Sequence, residues 1–230
     1  MTILALDSSS RTASTALYRE GVLLGQSYQN NGLTHSQTLM PMVESLLRNT
    51  CVEHSEIGLI AVTHGPGSFT GLRIGVSTAA GLAWGWGLSC CGVSSLMAAA
   101  MGVCHMGGLI CAVMDARRDQ VYNALFFANG GVLTRLTEDR ALSLTELWAD
   151  IQNKEPVLVG DGAELCYNQR IDISCQMSEN VRLAPPHLRY PCAWAVAELA
   201  EKAYRRGEVY PCDKLKPVYL RPSQAEREKK

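Results

Sequence analysis

No acidic residue occurs between Glu56 and Asp115, and Arg73 is the only charged side chain between Ile57 and Met114. That void excludes several readings of the glycine-rich stretch inside it, "HGPGSFTGLRIG" at residues 64–75. A dinucleotide fingerprint needs an acid about 20 residues past its glycines to hold the ribose, and none follows in range. No Lys-Ser/Thr pair follows the glycines, so a Walker phosphate loop is excluded. Ser68 stands between Gly67 and Phe69, which is not the G-x-S-x-G pattern of a nucleophile elbow. A generic anion site at a helix N-terminus stays open. Glycine, serine, histidine and paired cysteines interrupt the uncharged span, and no basic cluster flanks it. It therefore reads as buried core and not as a membrane hairpin.

Other absences narrow the chemistry. His35, His54, His64, His105 and His187 form neither H-x-x-x-H nor H-E-x-x-H, so no zinc-site spacing is present. The nine cysteines contain no C-x-x-C pair; most, set in apolar surroundings such as "LSCCGV" and "LICAV", read as small core residues. The opening "MTILALDSSS" has no basic start and reaches Asp7, so no secretory signal is expected and a reducing, cytoplasmic location is. A net charge of −1 gives no sign of a dedicated nucleic-acid binder. The charge is uneven: residues 201–230 hold nine Lys or Arg against five Asp or Glu, a basic tail that reads as a solvated helix end and terminus.

What is present is an order of elements that occurs twice. "ILALDSS" reads as a strand ending at Asp7, and "TASTALYREGVLLGQSYQ" as a hairpin turning at Glu20-Gly21. "THSQTLMPMVESLLRN" has helical spacing, with Thr34 and Gln37 as a capping box and Pro41 as a kink or first-turn mark. "IGLIAVTHG" reads as a strand, "SFTGLRIGVSTAAGLAWG" as a helix, "LSCCGV" as a short strand and "SSLMAAAMGVC" as a helix. The second round runs from the strand "LICAVMDA" and a hairpin turning at Gly130-Gly131 to a helix boxed by Ser143 and Glu146, the strand "PVLVGDG" and the helix "AELCYNQR". A longer helix, "PCAWAVAELAEKAYRRG", follows. An α/β chain of two similar lobes is predicted: residues 1–106, and residues 107–230 with the long helix 191–206 and the basic tail.

Gly71 and Gly75 lie inside the second predicted helix, where each costs roughly 1 kcal/mol relative to alanine. One side of that helix gathers Phe69, Leu72, Val76 and Ala79 with both glycines; the other carries Thr70, Ile74, Ser77, Gly81 and Trp84, with Arg73 the only charge. Both sides therefore read as covered, one by the sheet and the other by a neighbouring helix or another subunit, with the small residues permitting close approach. Asp7 and Asp115 end matching strands: each suits a magnesium-bound phosphate and equally a turn cap. "GDGA" at 160–163 suits a glycine turn against an adenine ring, or a simple strand-to-helix turn.

In order along the chain, "LALDSS", "HSQTLMPMV", "HGPGSFTGLRIG", "DARRDQVY" and "PVYLRPSQAERE" resemble the motifs of the bacterial TsaB (YeaZ) family. The resemblance implies the duplicated actin-like ATPase fold (the ASKHA fold of Hsp70 and sugar kinases). It implies a non-catalytic subunit that binds TsaD, with TsaE as ATPase, for threonylcarbamoylation of the tRNA adenosine beside the anticodon (A37). It implies a weak or vestigial nucleotide site at Asp7, Ser8, Asp115, Gly160 and Gly162. No metal and no cofactor of the chain's own are expected, with ATP or ADP at a shared site of the complex. TsaD carries an H-x-x-x-H that "SSLMAAAMGVC" lacks, and Arg117-Arg118 replace the small glycine turn that an ATP clamp uses. By the same resemblance the TsaD-binding face, used for homodimerisation when TsaD is absent, takes His35, Leu39, Met42, Val43 and Leu46 from one helix. From the next helix it takes Phe69, Thr70, Arg73, Ile74, Ser77 and Gly81. Arg117 and Arg118 are candidate contacts to nucleotide, TsaE or tRNA, which is otherwise reached through the complex. An ATP-dependent small-molecule kinase of the same fold is the alternative, and a glycoprotease-like metallopeptidase a third.

Overall fold

The structure, a computed structural model, describes residues 1–152, 154–169 and 180–221. In chain order the first half forms β1 (Thr2–Asp7), β2 (Ala13–Arg19), β3 (Val22–Gln29), α1 (His35–Thr50), β4 (Ile57–Gly65), α2 (Phe69–Trp86), β5 (Ser89–Ser94) and α3 (Ser95–Gly102). The second half forms β6 (Gly108–Asp115), β7 (Gln120–Asn129), β8 (Val132–Arg135), β9 (Arg140–Ser143), α4 (Leu144–Ile151), β10 (Val157–Val159), α5 (Ala163–Gln169) and β11 (Arg182–Leu183). α6 (Ala193–Arg205) and β12 (Tyr210–Pro211) complete it.

The chain divides into two compact units, Met1–Ala98 with Pro191–Val218 and Ala99–Tyr190 with Tyr219–Lys230. Each has its own sheet, ordered β12-β5-β4-β1-β2-β3 in the first and β11-β10-β6-β7-β8 in the second, where β9 also pairs with β7. In each, the Asp-ending strand lies between an antiparallel neighbour (β2 or β7) and a parallel one (β4 or β10). The repeat in element order is thus a repeat in topology. All six residues of β1 are buried, as suits an apolar run covered on both faces. Leu4, Leu6, Val62 and Val76 belong to the core of the first unit; Val113, Leu125, Leu147 and Trp148 belong to that of the second.

The structure corrects the expected division at one large element. The helix at 191–206 was expected in the C-terminal lobe, but α6 packs on β1 and β2 of the first sheet. Its buried face is rich in small residues, including Ala193, Ala197 and Ala200, which let it lie close to the strands. The backbone amide of Ala193 donates to Ser14 Oγ on β2 at 2.8 Å, satisfying a first-turn N–H that has no partner in its own helix.

Two smaller differences concern local chemistry. The Ser143/Glu146 capping box forms as expected, whereas Thr34 and Gln37 bond to each other side chain to side chain at 2.9 Å and leave the backbone uncapped. β9 was not anticipated, because "RALS" has no β-branched residue and owes its extended form to pairing with β7. Cys90, Cys91, Cys111 and Cys166 are buried and free. Burial pushes the Cys90 and Cys166 thiols up to about 12, which makes them inert packing groups at neutral pH. Cys175 lies outside the described residues.

Candidate functional site

β1 delivers Asp7 to a turn of buried hydroxyls. Asp7, Ser8, Ser9, Ser10 and Thr12 are all buried. Asp7 Oδ1 accepts from Ser9 Oγ at 2.6 Å, Thr63 Oγ1 at 2.6 Å and the Ser9 amide at 3.2 Å, while buried Oδ2 has no partner. Desolvation raises the carboxyl pKa above its ordinary 3.8, outweighing the lowering by the Ser9 and Thr63 bonds. Ser8 Oγ donates to the Gly71 carbonyl at 2.9 Å. A Cβ on Gly71 would collide with Ser8 O, and one on Gly75 with Ser8 Oγ. The two glycines therefore admit the chain's own serine turn and not a partner's backbone, which corrects the expectation drawn from their small size. Ser68 begins α2 and accepts from the Gly71 amide at 3.3 Å, a side-chain cap that leaves the HGPG turn free to change direction.

The raised Asp7 pKa has a consequence with a definite sign. Above pH 3.8 the unfolded chain releases the proton that the folded chain still holds, so this stability contribution is complete below that pH. It is lost as pH rises through the folded pKa. Asp7→Asn keeps an acceptor for the three donors and removes the titration. Thermal melts from about pH 4 to about pH 8 should show the wild type losing stability relative to Asp7→Asn. A parallel pair of curves would refute the assignment.

The second unit turns its matching loop outward. Asp115 Oδ1 accepts from the Arg117 amide at 2.7 Å, and its Oδ2 lies 3.4 Å from Arg117 Nη1. The Asp115 amide donates to Asp161 Oδ1 at 3.1 Å. Arg117, Arg118 and Asp119 take φ of 64°, 54° and 56°, left-handed backbone that costs an L-residue roughly 1 kcal/mol or more each. Gly160 has φ +107°, and a Cβ there would collide with the Val113 carbonyl; a Cβ on Gly162 would meet the Asp115 amide at 2.9 Å. Both glycines are consumed by packing against the end of β6.

In the first unit, Asp7 and Ser8 do not suit a hydrated magnesium ion. A hydrated magnesium ion keeps several waters, and Asp7 at 0% exposure has no face for them. Ser8 Oγ already donates to the Gly71 carbonyl, and in the second unit the turn after Asp115 holds Arg117, Arg118 and Asp119 and no glycine. Among the described residues no group of three or more His, Cys, Asp or Glu could hold a metal ion. No helix among them is long and apolar enough to cross a membrane.

The helices expected at a partner interface divide sharply. On α1, Leu39, Met42, Val43 and Leu46 are buried, and Leu39, Val43 and Leu46 belong to the core of their own unit. They are unavailable to a partner, because the apolar stripe of α1 is spent on the chain's own sheet and α2. His35 is half-buried, its Nε2 2.9 Å from Ser10 O. On α2, Thr70, Arg73, Ser77 and Gly81 are exposed, and Phe69 and Ile74 half-buried. The Arg73 guanidinium lies 3.9 Å from the centroid of the Phe69 ring. Trp84 is 81% exposed. It lies on the face read as covered, yet was left out of the expected contact set; a tryptophan among small residues was the available signal.

Two sheets of the same order, each built on a central strand that ends in aspartate, define a duplicated actin-like ATPase fold. The family model for "TsaD: tRNA N6-adenosine threonylcarbamoyltransferase" matches residues 30–229. The Bacillus subtilis tRNA threonylcarbamoyladenosine biosynthesis protein TsaB is 34% identical over 98% of this chain and 96% of its own. The Escherichia coli protein of that name is 28% identical over 96% of this chain and 95% of its own. The solved YeaZ from Pseudomonas aeruginosa superposes with a TM-score of 0.80 at 28% identity, covering 95% of this chain and 99% of that one. The chain belongs to the TsaB (YeaZ) family of tRNA threonylcarbamoyladenosine biosynthesis proteins.

Proposed function

We propose that this chain is the non-catalytic partner of the threonylcarbamoyl transferase TsaD in the cytoplasm, acting with the ATPase TsaE. In this reading it binds TsaD through the outer face of α2 and self-associates by that face when TsaD is absent. The tRNA and any nucleotide are handled by the assembled complex, and the chain needs no cofactor of its own. The observation that carries the reading is an outer helix face that holds one charge, Arg73, and leaves Trp84 81% exposed. Such a face is poorly suited to water along its length, and tryptophan is, with tyrosine and arginine, a residue type enriched among interface anchors. The inward-turned Asp7 and the glycine-free turn at Arg117 and Arg118 support a non-catalytic role, because neither turn offers a glycine loop whose amides could wrap the phosphates of a nucleotide.

The test mixes the purified chain with TsaD from the same organism and follows sizing chromatography with mass detection. A one-to-one complex is expected, with a homodimer of the chain alone at high concentration. Two separate peaks with and without ATP would refute the reading.

A further inference from the structure

We propose that the Arg117–Arg118 turn, braced by Arg221, is an RNA-backbone contact that this chain itself supplies. The name of the RNA, tRNA, rests on the functional reading above; the site does not. The β6–β7 turn could have been relaxed by a glycine, yet three successive non-glycine residues hold left-handed backbone there. The chain fixes that conformation from several sides. Ala116 N donates to Gln120 O at 3.0 Å, Gln120 N to Arg117 O at 3.3 Å and Leu144 N to Asp119 O at 3.1 Å. Arg221 Nη1 donates to Ala116 O at 2.9 Å and to Arg117 O at 3.5 Å.

The result is a hairpin tip that presents guanidinium groups outward. The Arg117 side chain is 86% exposed even with its Asp115 contact, and Arg118 is exposed and has no partner among the described residues. Elsewhere in this unit Arg135, Arg140, Lys154 and Arg189 are each paired with a carboxylate. In the matching β1–β2 turn of the first unit the hydroxyls are buried, and its exposed arginine, Arg11, donates to Asn30 Oδ1 at 3.2 Å. Strained backbone clusters at active sites, ligand clamps and switch regions, and guanidinium forks match the two free oxygens of a phosphodiester. An exposed tip suits a strand that passes over it, which favours RNA backbone over a free nucleotide.

The experiment measures anisotropy of fluorescently labelled unmodified tRNA with the full-length chain, without TsaD, across a salt series. Competition with ATP and with an unrelated single-stranded RNA accompanies it. Saturable, salt-sensitive binding is expected. Arg118→Ala should weaken it about tenfold and flatten the log–log salt slope by about 0.7 to 0.9, with Arg118→Lys keeping the slope but only part of the affinity, since the charge stays and the fork is lost. Arg118→Gly separates function from folding: it should weaken binding equally while raising the melting temperature by about 2 to 4 °C, because the left-handed strain is relieved. Unrelated RNA should compete and ATP should not, since backbone contacts carry no base sequence. The proposal is overturned by absent tRNA binding, by an unchanged slope in Arg118→Ala, by displacement with ATP alone, or by a lowered melting temperature in Arg118→Gly. Because TsaD is absent, a failure here leaves complex formation untouched, and a failure of the complex leaves this result standing.

Discussion

Gly71→Ala is expected to lower the melting temperature by about 4 to 8 °C, while Gly81→Ala, on the same helix, raises it by about 2 to 4 °C. Helix propensity alone favours alanine at both sites by roughly 1 kcal/mol. At Gly81 nothing lies within 4 Å of the added methyl, so the full propensity gain is realised in the isolated chain. At Gly71 the methyl meets the Ser8 carbonyl, part of a backbone held by the Ser68 amide donating to Ser9 O at 2.8 Å. The turn cannot retreat without breaking that bond and the Ser8 contact to Gly71 O at 2.9 Å. Overpacking with backbone movement costs about 3 kcal/mol, which outweighs the propensity gain. Differential scanning calorimetry of the two variants decides the matter. Shifts of the same sign would mean that the Ser8 turn yields to α2 and does not constrain it.

Trp84→Ala is expected to weaken binding to TsaD by about 30-fold or more, the loss that corresponds to an interface anchor of about 2 kcal/mol, with no loss of melting temperature. The side chain is 81% exposed, so the folded chain has little packing to lose. Ile74→Asp, about 15 Å farther toward the start of α2, should act in the same direction by placing a charge in a dry contact, with some loss of stability because the half-buried Ile74 also packs on the core of its own unit. Leu39→Ala is the contrasting case: Leu39 is 1% exposed, and removing it should cost about 2 to 5 kcal/mol of stability before any effect on association. Titration calorimetry with TsaD beside thermal melts separates the two classes. Unchanged affinity in both Trp84→Ala and Ile74→Asp would remove the outer face of α2 from the interface.

The sequence by itself determined whatever depends on neighbours along the chain. Periodicity located α2 and β1, the Gly130-Gly131 turn closed its hairpin, and the Ser143/Glu146 box began α4, because each acts within a few residues. Two strands ending in Asp7 and Asp115, in the same order of elements, revealed the duplication, and motifs such as "GPGSFTGLRIG" revealed the family. Only the tertiary structure decided which partner each surface meets. The pattern of α2 said that both sides are special, but not that Gly71 and Gly75 serve Ser8, a contact that spans 63 positions. The stripe of α1 reads identically whether it faces a subunit or its own sheet, and its burial with Leu39 and Val43 gives it to the sheet. The 13-residue helix α6 of the second half joined the first unit through Ala193 and Ser14, 179 positions apart. Amphipathicity records that a face is buried; the identity of its cover is a long-range contact, and chain order does not encode it.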